Sequence, residues 1–514
     1  MASTRLSKFG DKVLTSRSSL RLGKNGLILA LIVFLVALVI RSWHITLVNY
    51  LDHNGDSYHH WLTSYLTATH GYVHTDFKGS TINVAWLPLY HYIIAVLMNM
   101  FNVYDLRVQH GLNILLGSLT CVVVFVLARN SGSPEIGFGA GLALAVQPWF
   151  VDVTTLGVTE VPAIFLLMLG IYLFARNRIS LSTIPIALSM LIRYESWIFA
   201  LTLFAVGLVQ RRSIKQLTIY AIICASVVVS WSLNSWIQTG HLLQWYTNQA
   251  ATIRWDHLFT TGIGTVPEYL ETLFEVTSGM FLLGLAVGLL KKDRSTRLLV
   301  LLELAYLLAI ILQSFRGSIP YQVRFLSYLF PLTATLSAKV VGFSSAFIKR
   351  SSVRKVLSFL ILATIMVYPV YNQYWILAPT TDQTKLDRHV AAELVAGQSL
   401  SKTYINGTVL CDSPTIIYYS HLDPGKFYST SSLEWYPQRW NKSELVAWLR
   451  ERDVRYLVWQ NVSYSSSWWM FPELSNGNEC QIFFDNNQEI TFKIVAWTIS
   501  DFGPIYVYGI TIDS

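Results

Sequence analysis

Charge is scarce in this chain. Only 13% of its 514 residues are Asp, Glu, Lys or Arg, against 53% hydrophobic, whereas water-soluble domains are about a quarter charged. So little charge cannot cover the surface of a soluble fold this large, which excludes that class. The net charge of +8 does not point to nucleic acid, because the basic residues stand in clumps between apolar blocks. Cysteine is limited to four residues. Cys121 and Cys224 fall inside apolar blocks and read as small apolar side chains. Cys411 and Cys480 share the C-terminal region and are positioned to pair if it faces an oxidising compartment. Internal repeats and low-complexity tracts are absent.

What is present is a series of long uncharged runs, among them Leu27 to Val39, Leu217 to Gly240 and Val356 to Pro379. About 20 apolar residues in a helix cross the hydrocarbon core. Lipid offers the backbone no partners, so such runs must be helical. The clump Arg5, Lys8, Lys12, Arg17, Arg21 and Lys24 precedes the first run. A signal peptide is the competing reading there, but no small-residue cleavage site follows, so the run reads as a retained helix.

The other clumps are Arg176 with Arg178, Arg211 with Arg212 and Lys215, Lys291 to Arg297, and Lys349 to Lys355. Placing all of them on the cytoplasmic side requires an even number of spans between each pair. Spans near 25–44, 108–128, 136–153, 161–176, 181–193, 196–210, 216–236, 271–290, 298–314, 323–348 and 356–377 satisfy this. The apolar segment 84–101 then lies along the interface, as its Trp86, Tyr90 and Tyr92 favour, inside an outer loop 45–107. The expectation is a mainly α, polytopic bundle of eleven spans occupying 25–379. A cytoplasmic N-terminus, 1–24, precedes it, and a non-cytoplasmic α/β domain, 380–514, follows. In that domain Val409 to Asp412 and Val454 to Trp459 read as strands, Ser413-Pro414 as a turn and Glu444 to Arg452 as a helix. The sequons at Asn406, Asn441 and Asn461 all fall in it.

Four features face outward on this topology. They are Asp56, beginning an amphipathic stretch with Tyr58, His59 and His60; Glu160, at the outer start of a span; Arg193-Tyr194-Glu195, at another boundary; and Arg316, with Arg324 close behind. Charge at a membrane boundary is costly unless paired or used. Acids and arginines on one side suit an anionic lipid-linked substrate, since the planar guanidinium binds phosphate through two parallel hydrogen bonds. A carboxylate beside an acceptor hydroxyl serves as general base. Each residue also has a plain structural reading. Asp56 and Glu160 can cap their helices, Arg193 can pair with Glu195, and Arg316 and Arg324 can snorkel to headgroups. His59 and His60 are adjacent, so on a helix they point apart and make a poor metal pair.

These residues, in this order, resemble the GT-C superfamily of membrane glycosyltransferases, which includes protein O-mannosyltransferases, the aminoarabinose transferase for lipid A and oligosaccharyltransferase catalytic subunits. Gly55-Asp56-Ser57-Tyr58-His59 is similar to the acidic motif of the family's first outer loop. Trp86-Leu87-Pro88-Leu89-Tyr90 resembles its juxtamembrane segment, and Thr159-Glu160-Val161-Pro162 its second acid. Arg193-Tyr194, Arg324-Phe325 and Thr239-Gly240 to Trp245 also have counterparts. The resemblance covers about 25–380. The Trp-Trp-Asp-Tyr-Gly motif of oligosaccharyltransferases is missing, since Met470-Phe471-Pro472 follows Trp468-Trp469, and Glu160 stands where many relatives have Asp.

The resemblance implies an inverting glycosyltransferase that takes one sugar from a polyprenyl- or dolichyl-phosphate donor, outside the cytoplasm, to a hydroxyl of a protein, glycan or lipid. In that reading Asp56 is the base, Glu160 its support, and Arg316, Arg324 and Arg193 the phosphate ligands, with Tyr58 and His59 beside the substrate. A monophosphate donor held by arginines needs no metal, although a divalent ion stays open, as oligosaccharyltransferases use one. The membrane is the plasma membrane or endoplasmic reticulum. The alternatives are a transporter or lipid flippase, an oligosaccharyltransferase-like enzyme and a non-catalytic scaffold.

Overall fold

The computed structural model describes residues 23–71, 86–129, 134–247, 264–277, 294–316, 322–346, 370–377, 388–430, 442–461, 471–484, 488–500 and 503–513, with a few isolated positions between. The basic N-terminal clump, the clump 349–355, part of the expected span 271–290, whose start falls in helix α11 (Thr265–Thr277), more than half of the expected span 356–377, the domain boundary at 380, the sequon residue Asn441 and the Trp468-Trp469 pair lie outside them.

Four described helices are long and apolar enough to cross a membrane: α1 (Lys24–Leu47), α4 (Arg107–Arg129), α10 (Ile214–Thr239) and α12 (Arg294–Phe315). Their outward faces carry bare aliphatic side chains, such as Leu27, Val39 and Ile222, each about 60% exposed. In water that would be a defect, but it is the surface a bilayer solvates. Shorter apolar helices pack among them: α3 (Leu89–Phe101), α5 (Pro134–Val146), α7 (Glu160–Ala175), α8 (Ile179–Met190) and α9 (Glu195–Val209). Helix α3 has 13 residues and so measures about 20 Å, short of the roughly 30 Å hydrocarbon core.

One expected span is broken. Residues 136–153 form α5 and a separate turn of helix, α6 (Pro148–Val153). Pro148 has no N–H to donate and drives the residue before it out of the helical region. Gln147 is accordingly extended, and its side chain accepts from the Phe150 amide to cap α6. The expected span 323–348 likewise opens as a 3-10 turn, Val323–Tyr328, before helix α13 (Leu329–Ala346).

The C-terminal region is a mixed six-stranded sheet of order β2-β1-β3-β6-β5-β4. Strands β1 (Thr408–Leu410), β2 (Phe427–Tyr428) and β3 (Val454–Gln460) run parallel, while β4 (Cys480–Phe484), β5 (Gln488–Ser500) and β6 (Gly503–Asp513) add antiparallel. Side chains alternate across the sheet. Val409, Tyr456, Val458, Ile505 and Val507 join the core shared with the membrane helices, and Leu410, Leu457, Trp459 and Tyr508 form a second core on the other face.

Ser413-Pro414, expected as a turn, starts a helix (Pro414–Ser420), with the Ser413 hydroxyl accepting from the Ile416 amide. Cys411 and Cys480 are unpaired. Cys411 follows β1 and Cys480 opens β4, four strand spacings away in the sheet order. That is roughly 19 Å at about 4.8 Å per strand, beyond the reach of a disulfide.

Candidate active site

Helix α2 (Gly55–Thr69) begins at Asn54, whose side chain accepts from the Asp56 amide. Asn54 is therefore the N-cap, an interaction worth about 1 kcal/mol, and the Asp56 carboxylate is left for another partner. That partner is Arg324, 268 residues away, whose Nη2 lies 2.5 Å from Asp56 Oδ2. Arg324 Nε donates to Gln322 Oε1 at 2.6 Å and Nη1 to Asn54 Oδ1 at 3.4 Å. The same guanidinium lies 3.7 Å from Glu160.

Glu160, the first residue of α7, is fully buried. Thr159 stands at its N-cap position without a side-chain cap bond. Glu160 meets Arg193 Nη2 at 3.3 Å, and Arg193 forks onto Glu195 at 2.6 and 3.0 Å. The pairing of Arg193 with Glu195, one of the plain readings, is thus observed, but inside a longer alternating chain: Asp56, Arg324, Glu160, Arg193, Glu195. Neither oxygen of Glu160 has a hydrogen-bond partner. Charge alone holds this buried carboxylate, and its lone pairs are open to a ligand's donor.

Burial alone would raise the Asp56 pKa. The Arg324 guanidinium, with help from His59 and Arg193, overrides that and holds the carboxyl below the usual carboxylate range. His59 lies three residues along α2 on the same face, and its Nδ1 is enclosed without a hydrogen-bond partner. His60 instead bonds His91 of α3, Nδ1 to Nε2 at 3.0 Å. Among the described residues no three His, Cys, Asp or Glu side chains converge as a metal site would require.

Two expected members stand apart. The Tyr58 hydroxyl reaches the Asp52 carbonyl at 3.2 Å and the Tyr419 hydroxyl at 2.9 Å, facing the C-terminal region. Arg316 follows the last residue of α12 and is exposed.

Sequence reasoning missed two features. The first is a clasp behind the charge chain: buried Asp52 accepts from His110 Nε2 and from the Gly157 amide, both at 2.7 Å. A Cβ on Gly157 would lie 2.9 Å from Gln109 Oε1 and 3.1 Å from Asp52 Oδ2, so a larger residue would crowd the clasp in the loop that leads into Glu160. The second is a cavity of about 240 Å³ beside Arg193 and Glu195, lined by Trp86, Tyr194, Trp197, Trp245 and Tyr306. Trp245 stacks on Tyr194 with centroids 4.6 Å apart. The signal was available, because Trp86 and Trp245 belong to two of the quoted family-like segments.

Residues 85–236 match the family model described as dolichyl-phosphate-mannose-protein mannosyltransferase. No curated protein matches the sequence significantly. Among solved structures, ArnT from Cupriavidus metallidurans bound to undecaprenyl phosphate superposes with a TM-score of 0.63 at 12% identity, covering 95% of this chain and 98% of that one. Its apo state gives 0.64 at 12% identity, covering 93% and 97%. The apo oligosaccharyltransferase of Archaeoglobus fulgidus gives 0.53 at 14% identity, covering 84% and 69%. At such identities the likeness is one of fold, while the family match covers the segment that carries Glu160, Arg193 and Glu195. The chain thus has the fold of ArnT and of the oligosaccharyltransferase, and its segment 85–236 is similar to the dolichyl-phosphate-mannose-protein mannosyltransferase family.

Proposed function

We propose that the chain transfers a single sugar, with inversion, from a polyprenyl- or dolichyl-phosphate donor to an acceptor hydroxyl, on the non-cytoplasmic face of an eleven-span bundle. The alternating charge chain carries this reading. Arg193 is held by a two-pronged bond to Glu195 and by Glu160, so it is a fixed strut. Arg324 holds Asp56 by one prong and is the arginine free to exchange partners. A donor phosphate would take Arg324 from Asp56. Losing that cation raises the carboxylate's basicity at the moment an acceptor hydroxyl arrives.

In the transfer, the acceptor oxygen bonds to the anomeric carbon as the carbon–oxygen bond to phosphate breaks. The acceptor proton passes to Asp56, and the lipid phosphate leaves on Arg324, which stabilises its growing charge. The unsatisfied oxygens of Glu160 would accept from a substrate hydroxyl, and the aromatic cavity beside Glu195 has room for one sugar ring. Arg316, exposed beyond α12, is the weaker phosphate ligand. The donor is the lipid-linked monophosphate sugar suited to these arginines, and the acceptor is a protein, glycan or lipid hydroxyl. With a monophosphate donor the arginines suffice and no metal is needed, so activity should survive chelation.

The test is Asp56→Asn with a radiolabelled polyprenyl-phosphate sugar. Turnover falls by about 10²-fold or more while donor binding stays near normal. Full activity would refute the assignment, since Asn54 already caps the helix and no capping role is left for Asp56 to explain.

A further inference from the structure

Helix α9 starts at Glu195 in the charge chain. Its 15 residues carry the backbone about 22 Å to the opposite membrane face. There α9 and the start of α12 part to leave a cavity of about 800 Å³. Its walls include Val209, Leu301 and Leu304, which are 83%, 45% and 39% exposed. Arg211, Arg294 and Arg297 stand on its lining. Among the described residues none of the three makes an ion pair, and the first turn of α12 contains no acid. The neighbouring Arg212 turns away to Asn177 and Gln210. Burial, and then the like charge of Arg294, hold its guanidinium below its ordinary range. In the flanking sequence Lys291 and Lys292 outnumber Asp293, although those residues lie outside the described ones. Among the described residues Arg211, Arg294 and Arg297 have no acidic partner, and they stand beside the apolar lining between α9 and α12.

We propose that this cleft binds an anionic diacyl phospholipid from the membrane. Arg211, Arg294 and Arg297 hold its phosphate, and the acyl chains lie along Leu301 and Leu304. Guanidinium suits phosphate through its paired donors, and basic pockets between membrane helices on the positively flanked side recruit such headgroups. A second copy of the chain fits less well, because a symmetric contact through this patch would set arginines against arginines.

The experiment uses full-length protein in neutral detergent, titrated with phosphatidylglycerol or phosphatidylcholine of matched acyl chains and read by native mass spectrometry. The expected result is at least about tenfold tighter retention of phosphatidylglycerol, from roughly 1 kcal/mol per basic residue. R294Q/R297Q should bring phosphatidylglycerol down to the phosphatidylcholine level, and Leu304→Trp, which fills the groove, should weaken both lipids. Arg211→Gln, in the loop, is the check should the double variant lose its fold, and it should cost several-fold on its own. Equal retention of the two lipids by the wild-type protein overturns the proposal, as does unchanged retention in Arg211→Gln. A preference for polyprenyl phosphate over phosphatidylglycerol that is lost in the same variants, or a dimer in place of bound lipid, also overturns it.

Discussion

Asp52 and Asp56 stand four residues apart and both face a basic side chain, but they are built for opposite ends. Asp52 is sealed, with one oxygen taken by His110 and the other by the Gly157 amide. Asp56 is a quarter exposed and is held by a single prong of Arg324. Burial works against ionisation at both, and a basic neighbour that donates a hydrogen bond, His110 for Asp52 and Arg324 for Asp56, reverses it, so each carboxyl stays below the usual range. The difference lies in what remains unused. Asp52 has no capacity left for a substrate and fixes the loop into Glu160, whereas Asp56 can be released by whatever draws Arg324 away. A depressed carboxylate pKa stabilises the fold above the unfolded value near 3.9 and ceases to do so as the pH falls through the folded value. The two sites should therefore look alike in acid titration and diverge only under mutation.

The largest effect should come from breaking the sealed site. Asp52→Ala leaves His110 and the Gly157 amide buried without their partner, and breaking a buried pair costs about 3–5 kcal/mol. The apparent melting temperature in detergent should fall sharply, and activity should fall with the folded fraction. Asp56→Asn should do the reverse, losing about 10²-fold or more in turnover with the melting temperature nearly unchanged. If both variants fail in the same way, the distinction between clasp and base collapses.

Arg324→Gln sharpens the comparison through pH. In the wild type Asp56 stays ionised to below about 3.9, so the acidic limb of kcat/KM lies under that value. Without Arg324 the main lowering influence is gone and burial dominates, so the limb should rise above it, with donor binding weakened about tenfold or more. A profile measured between pH 4 and 8 should be flat on its acid side for the wild type and sloping for the variant. An unmoved limb would mean that Asp56 is not the group that titrates.

The charges at membrane boundaries were legible in the sequence because burying charge is costly and few residues incur that cost. Asp56, Glu160, Arg193 and Arg324 meet in one chain of ion pairs for that reason. Their partners were not legible, since Asp56 and Arg324 are 268 residues apart and no local pattern links them. Arg316 carries the same local signal as Arg324 yet sits exposed past a helix end, because composition does not say which way a helix terminus faces. Asp52 carried no signal of its own, as its role depends on the Gly157 amide approaching through a loop. In the fold, the apolar periods revealed the helices, but Pro148 split one expected span. The strands around 409 and 454 were readable from their apolar runs, whereas the β5–β6 hairpin was not anticipated.

The smallest predicted effect tests how far the C-terminal region reaches into the site. Tyr58 lies two residues from Asp56, and residues at that spacing face different sides of a helix. Its hydroxyl meets Tyr419 of the C-terminal region at 2.9 Å, and Trp61 packs edge-on to Tyr418 with centroids 4.8 Å apart. Tyr419→Phe removes one hydroxyl and keeps the ring, so it should cost only about 0.5–1.5 kcal/mol of stability. Tyr58 retains its bond to the Asp52 carbonyl, so the back of α2 stays anchored and its front, which carries Asp56, should not move. The expected outcome is a slightly lower melting temperature with kcat within about twofold of wild type, since a lost hydrogen bond away from the reacting atoms leaves the transition state untouched. A tenfold loss of kcat at unchanged donor affinity would show instead that the C-terminal region sets the angle of α2, and that the sealed Asp52 and the open Asp56 are one device.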